Sequence, residues 1–114
     1  MAEKDQHIFF KGTSSSNMYL LANTILYAES IDYGRHAVLY TITNDEYKIN
    51  SSITELEKEH PEFFLRAHKC YLVNPQYITG IERFKCILTN GKEIPIPEKK
   101  YTAFKKTVQD MMKL

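Results

Sequence analysis

Asn90-Gly91 constrains this chain more tightly than any other two residues. Both tolerate positive φ, which a two-residue hairpin turn requires. Lys85–Thr89 before it and Lys92–Ile96 after it are rich in β-favouring residues, so the pair predicts an antiparallel hairpin. Pro95 has no N–H to donate, so the return strand belongs at a sheet edge. Further β-favouring runs lie at His7–Lys11, Met18–Ala22, Ile25–Glu29, Arg35–Thr41, Tyr47–Asn50 and Ile78–Phe84. Turn material separates them at 12–17, at Ile31-Asp32-Tyr33-Gly34 and at Thr43-Asn44-Asp45.

Two stretches read as helix instead. Ser52 with Glu55 three residues later makes a capping box ahead of Ile53–His60, and Pro61 ends that helix. From Pro97 onward, Tyr101, Phe104, Val108, Met111 and Met112 recur at helical spacing. Lys99, Lys100, Lys105, Lys106 and Lys113 fall on the other side, and Glu98 suits the first turn. The expected fold is mainly β, built from antiparallel sheets, with one short internal helix and a C-terminal helix.

At 114 residues, 43% hydrophobic and 25% charged, the chain suits one globular domain. That domain is expected over 7–114, with 1–6 as a tail or linker remnant. No apolar run approaches the roughly 20 residues of a membrane span, and the N-terminus lacks a signal-peptide core. Cys70 and Cys86 make no disulfide framework, so a reducing cytoplasm is the expected setting. The charge is unevenly spread: Met1–Glu59 holds five cations and nine acids, and the remainder ten cations and five acids. Such asymmetry points weakly to a polyanionic partner; two solvated faces of opposite sign is the plain alternative.

Enzyme chemistry finds little support. The chain has no glycine-rich phosphate loop, no serine elbow and no HExxH. His68, Cys70 and Asn74 share one short segment, whereas a Cys-His-Asn triad converges from distant parts of a fold. His7 and His36 have no companions at ligand spacing, and His60 sits where a helix end favours a cation. No metal or cofactor is expected. Tyr27, Tyr40, Tyr47 and Tyr71 fall in strands, where packing is the default role.

The span Phe63–Asn74 is the richest in the chain. Phe63, Phe64, Leu65, Tyr71, Leu72 and Val73 are core material, and Arg66, His68 and Lys69 lie between them. A cation held on a rigid turn suits an anion such as DNA phosphate. Two strands joined by a solvated turn is the competing reading.

The order of these signals resembles the LytTR DNA-binding domain of bacterial transcriptional regulators. The resemblance runs from about Phe9 to Lys106. It rests most on Phe64-Leu65-Arg66-Ala67-His68-Lys69-Cys70-Tyr71-Leu72-Val73-Asn74, followed by Asn90-Gly91-Lys92-Glu93-Ile94-Pro95-Ile96. It implies an elongated arrangement of antiparallel sheets whose loops enter the DNA major groove. It also implies double-stranded promoter DNA with direct repeats as partner, two copies per site and an upstream receiver domain. The positions it implies for base contact are Arg35, Lys69 and Lys99. His36, Lys100 and Tyr33 are implied supports. Arg66 is open between a DNA contact and a structural ion pair, and His68 between a contact and orienting the loop; Asn74 is expected to satisfy backbone groups. Pro97-Glu98 departs from the Ser-Arg common in the family, and Cys70 stands where serine is frequent. A β-rich module binding acidic proteins through the same loops is the alternative function.

Overall fold

The computed structural model describes residues 6–13 and 16–112. The expected tail, apart from Gln6, lies outside them, as do Ser14, Ser15 and Lys113. Among the described residues, ten strands form three antiparallel sheets: β1(His7–Lys11), β2(Asn17–Leu21), β3(Ile25–Ile31), β4(His36–Thr41), β5(Glu46–Ile49), β6(Leu65–His68), β7(Tyr71–Val73), β8(Ile78–Glu82), β9(Lys85–Leu88) and β10(Glu93–Pro95). The helices are α1(Ile53–Glu59) and α2(Glu98–Met111). The body measures 40 × 36 × 25 Å.

A five-stranded sheet in the order β5-β4-β3-β7-β6 forms the middle layer. Against one face lie the β1–β2 hairpin and α1, with Ile8, Phe10, Ile53, Leu56 and Phe64 meeting Ala28, Leu39 and Leu72. Against the other lie the sheet β10-β9-β8 and α2, where Cys86, Leu88, Ile94, Phe104 and Val108 meet Tyr27, Ala67 and Val73. Burial on both faces explains why β3 opens as an unbroken buried run, Ile25 to Ala28, rather than alternating. A bulge between Ile25 and Tyr27 turns the neighbours Leu26 and Tyr27 to the same side.

The local signals at the hairpin and the first helix hold. Gly91 has φ 87° and β9 pairs with β10, but Asn90 does not share the positive φ: the turn is longer than two residues, with Gly91 N–H donating to the Leu88 carbonyl at 2.8 Å and Leu88 N–H to the Lys92 carbonyl at 3.0 Å. Pro95 lies on an edge strand of its sheet. In the capping box, Glu55 N–H donates to Ser52 Oγ at 3.1 Å, and Ser52 N–H to Glu55 Oε1 at 2.8 Å. Such a cap contributes about 1 kcal/mol.

Most boundaries shift by one or two residues, and three of the shifts bear on the loops. β3 runs on through Ile31, because Ile31 pairs with His36. Arg35 does not open β4; it closes the preceding turn. The expected strand Ile78–Phe84 stops at Glu82, and the chain reverses at Arg83-Phe84 with Phe84 at φ 66°. Nothing in those residue types announces a turn, since bulky side chains avoid this region. Packing holds Phe84 there: its ring meets Tyr101 edge-on at 5.4 Å, Arg83 lies over it at 5.1 Å, and its carbonyl accepts from Ile96 N–H at 2.9 Å. The apolar stripe of α2 is also shorter than its spacing suggests. Phe104 and Val108 are buried, while Met111 and Met112 are exposed.

Candidate nucleic-acid interface

Register brings two loops to one end of the five-stranded sheet. Ile31 pairs with His36, and Glu29 pairs with Tyr71, so the β3–β4 loop and the β6–β7 turn are neighbours. Ser30 N–H donates to the Cys70 carbonyl at 2.8 Å and fixes their spacing. Between them lies an open groove lined by Ser30–Gly34, Lys69 and Cys70.

The β3–β4 loop is held in an uncommon shape. Asp32 (φ 53°), Tyr33 (φ 56°, ψ 36°) and Gly34 (φ 88°) are all left-handed. For a residue with a Cβ this costs about 1–2 kcal/mol each. Glycine carries the last position freely, but Asp32 and Tyr33 do not. The offset is the Asp32 side chain, whose Oδ2 lies 2.7 Å from His36 Nδ1 and 3.2 Å from Lys48 Nζ on β5. The hydrogen bond from His36, followed by that from Lys48, holds the Asp32 carboxyl below its usual range. Arg35 N–H and Nε–H both donate to the Asp32 carbonyl, at 3.1 and 3.3 Å. The Arg35 guanidinium remains exposed, and Tyr33 is fully exposed at 100%.

The β6–β7 turn separates its three polar residues by role. Arg66 sits on β6 facing α1. Its Nε and Nη2 reach Glu57 Oε1, each at 3.2 Å, and Nη2 donates to Thr54 Oγ1 at 2.9 Å. Its Nη1 donates to the Lys69 carbonyl at 3.1 Å. Every arm of the guanidinium is thus engaged, and one of them shapes the turn. His68 Nδ1 accepts from Cys70 N–H at 3.1 Å, which places the ring proton on Nε2 when the ring is neutral. Lys69 is the exposed residue at the tip.

Lys99 and Lys100 lie in the first turn of α2, exposed, beside an exposed Glu98. They do not line the groove between the other two loops. The Asn90-Gly91 turn lies near the opposite end, where Asn90 shares a recess with Tyr27, Tyr40, Thr41, Asn44, Asp45 and Glu46. β10 leaves that end alongside β6 and carries the start of α2 away from it. The Phe84 contacts with Ile96 and Tyr101 set where that helix begins.

The other singled-out residues are structural. Asn74 is 2% exposed. Its Nδ2 donates to the Ile25 carbonyl at 2.9 Å, and its Oδ1 accepts from Gln76 N–H at 3.2 Å. Cys86 is buried, and burial pushes its thiol up to about 12. Tyr27 stacks on Tyr40 at 4.4 Å, while Tyr40 and Tyr71 donate to the two oxygens of Glu29 at 3.2 and 3.4 Å. Burial first, then the charge of Glu29, pushes the Tyr40 phenol up to about 12.

The sequence matches the model of the LytTr DNA-binding domain over residues 15–109. The chain belongs to the LytTR family. The fold agrees with a solved LytTr DNA-binding domain from Bacillus cereus, part of a protein described as a methyl-accepting/DNA response regulator. The TM-score is 0.70 at 18% identity, covering 91% of this chain and 96% of that one. No curated protein matches the chain in sequence. As a LytTR domain, the chain is of a DNA-binding, transcription-regulating type. Among the described residues, no helix is long and apolar enough to cross a membrane. Two contributors escaped sequence reasoning. Asp32 and Lys48 are 16 positions apart in sequence, and only the β4–β5 pairing brings them together. A short acidic residue just before an exposed aromatic-glycine pair was the one available signal.

Proposed function

We propose that this LytTR domain binds double-stranded DNA with sequence preference through the β3–β4 loop, the β6–β7 turn and the first turn of α2. In this reading Arg35 and Lys69 enter the major groove and meet base edges, where arginine and lysine donate to guanine O6 and N7. Lys99 and Lys100 extend the contact, and either can hold phosphate. His36 and Arg66 act from behind, His36 through Asp32 and Arg66 through the Lys69 carbonyl. His68 shapes the turn. The site is a promoter with direct repeats, occupied by two copies. Repeats one helical turn apart would set both copies on one face of the duplex.

One observation carries the reading. Lys69 at the groove and Arg35 beside it are exposed and outside the ion pairs of the described residues, while nearby Arg66 and Lys48 each meet a carboxylate within the chain. The test is selection of bound duplexes from a random pool, followed by titration of the recovered duplex at increasing salt. Enrichment of a repeated motif is expected. Log affinity should fall with log salt concentration by about 0.9 per phosphate neutralised. Absence of binding to any duplex at low salt would overturn the proposal.

A further inference from the structure

The β3–β4 loop contains one feature that cationic contacts leave unexplained. Tyr33 is wholly exposed, yet its backbone is left-handed and so is the residue on each side of it. Asp32 holds this shape through His36 and Lys48. The ring gains no burial within the chain in return, and a conformation maintained against its own cost points to a gain outside the chain. The loop also determines what that gain meets. Tyr33 lines the groove with Lys69, and Arg35 follows two residues later. The exposed Lys69 in the same groove and the exposed Arg35 two residues on favour a polyanion as the partner the ring would meet.

We infer that Tyr33 makes apolar contact with the 5-methyl group of a thymine in the major groove, beside the base pair met by Arg35. The inference rests on the DNA-binding reading above. The thymine methyl is the apolar feature among the base edges displayed in that groove. An aromatic ring covers it with its face and leaves the hydroxyl free for water or phosphate. Asp32 is a positioning residue in this account: it touches no base and fixes the direction of the ring.

Full-length protein and the duplex recovered from the random pool supply the test. Each thymine is replaced singly by 2′-deoxyuridine, which keeps the pairing and removes the methyl. One position should bind the unaltered protein about fourfold more weakly, the effect of one buried methyl. Tyr33→Ala should bind the parent duplex more weakly and show no further loss at that position. Asp32→Asn should reduce the discrimination while leaving the salt slope unchanged. Because Tyr33 is exposed, Tyr33→Ala is expected to unfold at the wild-type temperature, which a melting curve checks. The inference is overturned if deoxyuridine has no effect anywhere, if the loss persists in Tyr33→Ala, or if the recovered motif has no thymine. It is also overturned if Tyr33→Ala weakens every duplex equally. Recovery of no duplex at all would overturn the DNA-binding reading itself.

Discussion

The two ends of the five-stranded sheet treat polar groups in opposite ways. At the end holding Thr41–Asp45 and Asn74–Tyr77, polar groups close on one another. Thr41 Oγ1 accepts from Asp45 N–H at 3.1 Å, Asn74 bridges two segments, and the Tyr77 hydroxyl donates to the Asn23 carbonyl. At the end holding the β3–β4 loop and the β6–β7 turn, carboxylates take some cations and leave Arg35 and Lys69 outside the ion pairs, although Arg35 Nε–H donates to the Asp32 carbonyl. Asp32 engages His36 and Lys48, and Glu57 engages Arg66, but Arg35 and Lys69 extend outward. A binding surface here consists of a bonded frame with a few groups excluded from it.

The comparison breaks first at the closed end. Asn74→Ala leaves the Ile25 carbonyl and the Gln76 N–H without their buried partner. It should lower unfolding free energy by about 3 kcal/mol, read from urea denaturation. Lys69→Ala tests the open end. DNA affinity should drop by about 1–3 kcal/mol while the unfolding midpoint stays fixed. Unchanged binding would remove Lys69 from the interface.

Arg66→Ala sharpens the contrast between two cations three residues apart. Its ion pair with Glu57 is partly exposed, so the expected stability loss is about 1 kcal/mol. Binding should also weaken, because the carbonyl of Lys69 loses its donor. A variant that binds DNA less tightly with no change in unfolding would make Arg66 a direct contact.

The smallest effect is acid-dependent. Hydrogen bonds from His36 and Lys48 hold the Asp32 carboxyl below its ordinary value of 3.8. Its contribution is therefore complete above that value and is lost as pH falls through the lower folded-state value. Melting temperatures of wild type and Asp32→Asn should differ slightly at neutral pH and converge in strong acid. A gap that persists in strong acid would show that the carboxylate charge is not what holds the loop.

Much of this was legible in the residues because the signals are local. Asn90-Gly91 needs only its own dihedral freedom, Ser52 and Glu55 need only three-residue spacing, and Pro95 needs only a missing N–H. Arg66 and His68 were open between contact and frame in the sequence. Their partners, Glu57, Thr54 and the neighbouring backbone, come from other elements or from the turn itself and support the frame role proposed for both. The turn at Arg83-Phe84 was illegible because Phe84 is held by Ile96 and Tyr101, both more than ten positions downstream.

By itself the sequence determined the order of strands and helices, the edge position of Pro95, the capped first helix and the family. Each follows from dihedral preference, spacing or motif. Tertiary structure alone decided which cations are free. It did so by placing Asp32 within reach of Lys48, and Glu57 within reach of Arg66. A charge is available to a partner only when no opposite charge in the fold has taken it, and those neighbours are set by strand register and layer packing.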